Sequence, residues 1–415
     1  MIAALRPYQE ACLAAIEQGW LNARRQLIVL PTGTGKTIVF AKLAELLRKF
    51  GRILVLAHRE ELLAQAQEKI AAWTSLSTAL EQGDARADDL YGAHADVVVA
   101  SVATLTRRLE RYPTNSFSLV VVDEAHHAPA ETYQRILNHF DARVLGVTAT
   151  PDRLDKRSLK GTFDAVPFVY ELRDAITDGW LVPIRQKVVR IEGMDLSLVR
   201  TQHGDLNEGD LETAMLKSPV VAGVARATVE ASHGRRTLVF ATTIAHAKAL
   251  AISMGHFADP AKIAVLSGQD SEADRREGVR RFFHGDLQYL VNCLLFTEGF
   301  DLPAIACVSV ARPTKSRALY AQMIGRGTRT APAKRDLLIL DFMGNAGRHV
   351  LVNAFDLLGG TDAEVQNKAK VKAEDPEGCD VLEALRQAQQ DLADFYRRQA
   401  LAAAQRARDA KITYL

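Results

Sequence analysis

Cysteine is scarce. The four in 415 residues, Cys12, Cys293, Cys307 and Cys379, stand at no metal-ligand spacing, which argues against a zinc module and reads as reduced thiols in a cytoplasmic protein. Charge of one sign is also missing. The formal net charge is +2, so any nucleic-acid surface has to be local rather than a property of the whole chain. No apolar run approaches membrane-spanning length, so no membrane partner is expected. The opening "MIAALRPYQE" lacks a signal-peptide layout. What is present is ordinary globular material, 48% hydrophobic and 25% charged, enough for two cores and an appendage.

One stretch carries specific chemistry. "LPTGTGKT", Leu30 to Thr37, reads as a phosphate-binding loop in which Leu30 replaces the first glycine of the general pattern G-x-x-x-x-G-K-[ST]. Gly33 and Gly35 let Pro31, Thr32, Thr34 and their neighbours turn tightly, so that backbone N–H groups aim at phosphate oxygens. Lys36 supplies a point charge near the β- and γ-phosphates, and the Thr37 hydroxyl suits Mg²⁺. Leu27 to Leu30 reads as a buried strand and Ile38 to Phe50 as a helix. The phosphate therefore falls at a helix N-terminus, which favours anions.

The same plan appears twice along the chain. "RILVLAH", "ADVVVAS", "SLVVVDE" and "RVLGVTAT" follow the loop, and "RTLVFAT", "KIAVLSG", "QYLVNCL", "ACVSVAR" and "LLILDF" form a second series. Strands alternating with helices imply two parallel-sheet α/β domains. The expected division is residues 1–155 for the first domain, a connector over 156–182, and the second domain over 183–358. An insertion is expected at 183–217, a charged linker at 359–379 and a helix over 380–415. Leu385, Ala388, Leu392 and Phe395 give that helix one apolar seam, expected to dock on the body of a monomer. Arg397, Arg398, Arg406 and Arg408 make its end basic.

Two further sites follow. The strand ending Val120-Val121-Val122 runs into Asp123-Glu124-Ala125-His126. An acid there holds the water shell of Mg²⁺, and the next carboxylate orients or deprotonates the attacking water. In "QMIGRGTR", Arg326 and Arg329 lie three apart, so on a helix both face one way. Their planar guanidinium groups suit a γ-phosphate gaining charge.

With these residues in order, the chain resembles a superfamily 2 helicase of the DEAH-lettered kind, two tandem RecA-like domains with a C-terminal helical extension. Within the superfamily it is similar to the branch of XPB-type helicases, UvrB and the motor subunits of type I and type III restriction enzymes. The resemblance spans roughly residues 5–345, and it accounts for Leu30, because this superfamily commonly reads "PTGTGKT". It implies ATP and Mg²⁺ as cofactors, with Gln9 as the adenine contact and Arg6 as its helper. It implies His58, Arg59, Ser101, Thr104, Thr242 and Thr297 at the nucleic-acid backbone. Gly299 and Asp301 are implied on the nucleotide side, and Gln322, Arg326 and Arg329 in the last motif with the arginines as fingers. His126, Thr148 and Thr150 are implied as coupling residues. His127, directly after the motif, is given no role and reads as a core or surface histidine. Cleavage, if this is a restriction-type motor, is expected from a separate nuclease or repair subunit.

Three functions fit. The first is a DNA helicase or translocase acting on single-stranded or forked DNA in repair, recombination or genome defence. The second is an RNA helicase. The third, of a different class, is a non-catalytic nucleic-acid-binding scaffold. The branch resemblance favours the first, and the presence of every residue needed for hydrolysis speaks against the last.

Overall fold

A computed structural model describes residues 4–58, 60–87, 94–149, 159, 161–202, 204–293, 295, 302–359, 362–375 and 377–409, with backbone alone at 60, 61 and 402–409. The chain divides into two compact units. The first holds Met1–Leu181, Leu295–Pro303 and Arg317–Thr330; the second holds Val182–Leu294, Ala304–Ser316 and Ala331–Leu415.

The first unit is built on seven strands: β1 (Arg25–Val29), β2 (Ile53–Ala57), β3 (Thr78–Glu81), β4 (Val97–Ser101), β5 (Leu119–Asp123), β6 (Arg143–Thr148) and β7 (Ala165–Val169). Their order is β3-β4-β2-β5-β6-β1-β7, and every pairing is parallel. The central strands are apolar runs because helices cover both faces; Ile53 to Leu56 and Val97 to Ala100 are wholly buried. Parallel strands bring their carboxyl ends to one edge, where ligands of open α/β sheets bind. The phosphate loop follows β1, His58 follows β2, Ser101 closes β4, Asp123 closes β5 and Thr148 closes β6.

The second unit repeats the plan with β8 (Ile184–Asp195), β11 (Thr237–Phe240), β12 (Ile263–Leu266), β13 (Tyr289–Asn292), β14 (Cys307–Val310), β15 (Leu337–Asn345) and β16 (Cys379–Asp380), in the order β12-β13-β11-β14-β15-β8-β16. Only β16 runs antiparallel, against β8. A separate hairpin pairs β9 (Thr201–Gln202) with β10 (Asp205–Leu206). Among the described residues no helix is long and apolar enough to cross a membrane.

Three expectations need correction. The stretch 184–195 is not an insertion at the edge. It is a strand inside the second sheet, paired with β15 from Ile184 to Arg190 and again at Asp195, and 196–217 adds the hairpin and the helix Glu208–Met215. The connector 156–182 ends as part of the first unit, where β7 pairs with β1. The linker 359–379 carries the helix Ala363–Lys370 and a 3-10 turn Val371–Glu374, anchored by buried Val365, Ala369 and Ala373. In the helix Val381–Asp409, Val381, Leu385 and Ala388 are buried, whereas Phe395 is half exposed. All four cysteines are free thiols. Burial pushes Cys12 and Cys307 up to about 12 and Cys379 to about 11, which favours the protonated thiol over the thiolate.

Candidate functional site

The loop Pro31–Gly35 leaves β1 and feeds the helix Lys36–Leu47, with Gly33 and Gly35 at φ +90° and +81°. Left-handed backbone at two loop positions admits glycine at little cost. A Cβ on Gly35 would meet Gln9 Nε2 at 2.7 Å. The loop is held from outside. Leu30 N–H donates to the Thr148 carbonyl at 2.9 Å, Thr34 Oγ1 donates to the Pro31 carbonyl at 2.7 Å, and Gln9 Nε2 donates to the Thr34 carbonyl at 3.1 Å. Tyr8 hydroxyl also donates to the Thr34 carbonyl. Gln9 is 2% exposed and its Oε1 accepts from the Arg6 N–H at 3.0 Å. Here it ties the N-terminal helix Pro7–Gly19 to the loop.

The loop opens on a cavity of about 300 Å³ lined by residues of the first unit, among them Arg6, Thr37, Asp123, Glu124, Arg326 and Arg329. Lys36 Nζ lies 3.2 Å from Glu124 Oε1, both side chains nearly buried at 12% and 7% exposure. Glu124 is held in place by an unusual backbone: at φ +49° it is a non-glycine residue in the left-handed region, cornering the chain into the turn Ala125–His127. His126 Nδ1 lies 3.4 Å from its Oε2. Burial alone would raise the Glu124 pKa, but the Lys36 ammonium and the His126 ring outweigh it and hold the carboxyl well below the usual range. The group is therefore ionised, as a base must be.

Arg326 and Arg329 are not on a helix. The helix Arg317–Gly325 stops short of both, and Gly327 N–H closes a turn onto the Ile324 carbonyl at 2.9 Å. The two glycines end the helix, and the arginines reach the cavity from an irregular segment. Arg329 forms a bridge with Leu181 and packs over Gly33, 3.0 Å from where a Cβ would stand. A Cβ on Gly325 would strike Thr32 at 2.7 Å, so only glycine admits this approach. Gln322 and Arg326 are each 7% exposed.

Aromatic residues to which the sequence gives no role stand beside the cavity, and one of them, Trp180, lines it. Tyr8 stacks on Tyr170 at 4.5 Å between ring centroids, and the Arg6 guanidinium lies 4.7 Å above the Trp180 ring, which lines the cavity. With aromatics at 7% of the chain, the pair "FVY" and "GWLVP" was the signal available.

The residues expected at the nucleic-acid backbone divide. His58 is half-buried and follows β2; Ser101 at the end of β4 and Thr104 just beyond it are half-buried, with Thr104 Oγ1 accepting from the Gly83 N–H at 3.2 Å. Thr242 is different. It is fully buried, its hydroxyl 2.9 Å from His246 Nδ1 and its carbonyl accepting from Arg312 at 2.9 Å. A side chain so enclosed does not present itself to a strand, and this expectation is corrected. Thr148 is buried and acts on the loop through its carbonyl. Arg59, Thr150, Thr297, Gly299 and Asp301 lie outside the described residues.

Mg²⁺ retains several waters and takes one or two protein ligands beside substrate phosphates. Thr37 and Asp123 at the cavity fit that demand. No cluster of three or more His, Cys, Asp or Glu able to hold a metal occurs among the described residues.

The sequence profile of the type III restriction enzyme res subunit matches residues 2–153, and that of the helicase conserved C-terminal domain matches residues 221–331. IRC3 of Saccharomyces cerevisiae, described as an ATP-dependent helicase, is 35% identical over 86% of this chain and 53% of its own length. The DNA 3'-5' helicase XPB of Kineococcus radiotolerans is 27% identical over 78% of this chain and 57% of its own. The chain thus spans about half the length of these relatives. A fragment of a type I restriction HsdR-type subunit from Vibrio vulnificus superposes with a TM-score of 0.61 at 23% identity, over 86% of this chain and 66% of that one. At that identity the likeness speaks for the fold alone.

Proposed function

We propose that the chain is a superfamily 2 helicase that binds ATP and hydrolyses it to move along or unwind DNA in repair, recombination or genome defence. The observation that carries this is the meeting of Lys36, Glu124, Arg326 and Arg329 at one cavity.

ATP enters with its phosphates at the N-terminus of the helix Lys36–Leu47. Lys36 exchanges Glu124 for β- and γ-phosphate oxygens. The carboxylate so released orients the attacking water and takes its proton as the bond from the γ-phosphorus to the bridging oxygen breaks. Arg326 and Arg329 stabilise charge on the equatorial oxygens of the transferring group. Thr37 and Asp123 would hold Mg²⁺, partly through water, and the ion would supply charge neutralisation at the phosphates. Arg6, Gln9 and Trp180 face the base. The segment 317–330 that carries the arginines is joined at both ends in sequence to the second unit. Loss of its hold on the γ-phosphate is therefore passed along the chain to that unit.

His58, Arg59, Ser101, Thr104 and Thr297 are the strand contacts. Backbone contacts carry little sequence information and release counterions, so weak sequence preference and steep salt dependence follow. The core acts as a monomer in a reducing compartment such as the cytoplasm, alongside a separate nuclease or repair subunit. The test is ATP-driven displacement of streptavidin from end-biotinylated DNA. Displacement that needs ATP and is lost in Lys36→Ala supports the reading; displacement without ATP, or none on any DNA, counts against it.

A further inference from the structure

Three histidine rings stand in file between the catalytic carboxylate and the end of β2. His126 Nδ1 lies 3.4 Å from Glu124 Oε2. The His126 and His127 ring centroids are 4.0 Å apart, and those of His127 and His58 are 4.3 Å apart in an edge-to-face contact. His127, to which the sequence gives no role, is the middle ring. It touches polar rings on both sides instead of filling apolar core, and it is only half-buried. It is tied to Glu124 a second way: its own N–H donates to the Glu124 carbonyl at 3.0 Å, closing the single turn Ala125–His127. β2 and β5, whose ends carry the two termini of the file, are neighbours in the sheet, so the file is short and its ends are anchored on one rigid frame.

We propose that His127 is a positioning residue through which strand binding at His58 controls Glu124. An edge-to-face contact tolerates a limited range of ring orientations. When a phosphate of the strand reorients the His58 ring, His127 must follow. Its displacement reaches Glu124 through His126 on the side chain and through the turn on the backbone. Glu124 is the responsive end of such a file, because its left-handed backbone is what a small rotation undoes. With the Lys36–Glu124 pair opened by ATP, strand binding thereby turns the released carboxylate towards the attacking water. The inference rests on the proposed DNA-dependent ATPase reading.

Two measurements on the full chain test it. The first needs no nucleic acid. Ring signals of the eleven histidines are recorded by NMR after ring labelling, with His58 assigned by its loss in His58→Gln. Glu124→Gln shifts the His58 signal when His127 is present and leaves it in place in His127→Ala; equal shifts in both backgrounds overturn the file. The second is the ratio of DNA-saturated to DNA-free ATPase rates. His127→Ala lowers that ratio by about fivefold or more while DNA affinity stays within about twofold, and His127→Phe, which keeps a ring, retains most of it. An unchanged ratio, a parallel loss of DNA affinity, or equal loss in the Ala and Phe variants overturns the proposal. A wild-type rate indifferent to every nucleic acid overturns the functional reading instead, and the NMR measurement still decides the file.

Discussion

Replacing Glu124 by Gln should make the protein bind ATP more tightly, not less. Lys36 Nζ and Glu124 Oε1 are 3.2 Å apart in surroundings almost closed to water. At an effective dielectric near 20 their gross attraction is about 5 kcal/mol. Most of that is offset by desolvation, and a hydrogen bond to a charged group contributes a net of roughly 1.5–3 kcal/mol. The phosphates of ATP have to displace this bond before Lys36 can hold them. The amide oxygen introduced by Glu124→Gln still accepts from Lys36 but lacks the charge, so the gain falls at the low end, about tenfold in Kd. Calorimetric titration with a non-hydrolysable ATP analogue measures it, and turnover should be lost in the same variant. Lys36→Ala should behave oppositely. It loses nucleotide binding and leaves a buried carboxylate short of its cation, at a cost of roughly 3–5 kcal/mol in stability. Equal or weaker analogue binding by Glu124→Gln would show that the pair does not compete with ATP and would refute the reasoning.

Further outcomes follow. Arg326→Ala and Arg329→Ala should lower kcat by roughly 10³-fold or more with little change in ATP affinity; near-normal single-turnover rates in both would return these arginines to a structural role. Burial holds His246 neutral, its pKa lowered to about 4. Because the folded pKa lies below the unfolded value of 6.5, its contribution is complete above pH 6.5 and is lost as pH falls towards 4, about 3 kcal/mol in all. Urea midpoints between pH 7.5 and 4.5 should show the slope, and His246→Asn should reduce it. Truncation before residue 391 should leave thermal stability nearly intact, since residues 393–401 of the helix are exposed. Truncation before residue 379 removes β16 with buried Val381, Leu382 and Leu385. At about 1.5–3 kcal/mol for each buried side chain it should unfold the second unit, as calorimetry would report.

What the sequence made legible was what a continuous apolar run or a fixed motif spells out. β2, β4 and β5 are buried on both faces, so their residues are apolar throughout. The loop at Leu30–Thr37 and the acids at 123 and 124 announce their chemistry by spacing. β8 was misread because its burial alternates irregularly with polar residues such as Arg185, Lys187 and Arg190. The segment 359–379 was misread because three small anchors, Val365, Ala369 and Ala373, do the packing among many charges. Arg326 and Arg329 were placed on a helix by their spacing, whereas Gly325 and Gly327 stop it. Tyr170 and Trp180 join Tyr8 and Arg6 only through the fold, across more than 160 residues of chain, and no local pattern marks them. The file from Glu124 to His58 was hidden for the same reason, its rings coming from two strands apart in sequence and adjacent in the sheet.

The central claim, that the cavity at Lys36 and Glu124 hydrolyses ATP in response to DNA, is tested most directly by steady-state ATPase rates measured in parallel. The wild-type chain is assayed with single-stranded DNA, duplex DNA, forked DNA and RNA, with Lys36→Ala as the blank. The expected result is a rate that rises with DNA, falls steeply as salt is added and stays low with RNA. A rate unmoved by any DNA, or raised as much by RNA as by DNA, would contradict it.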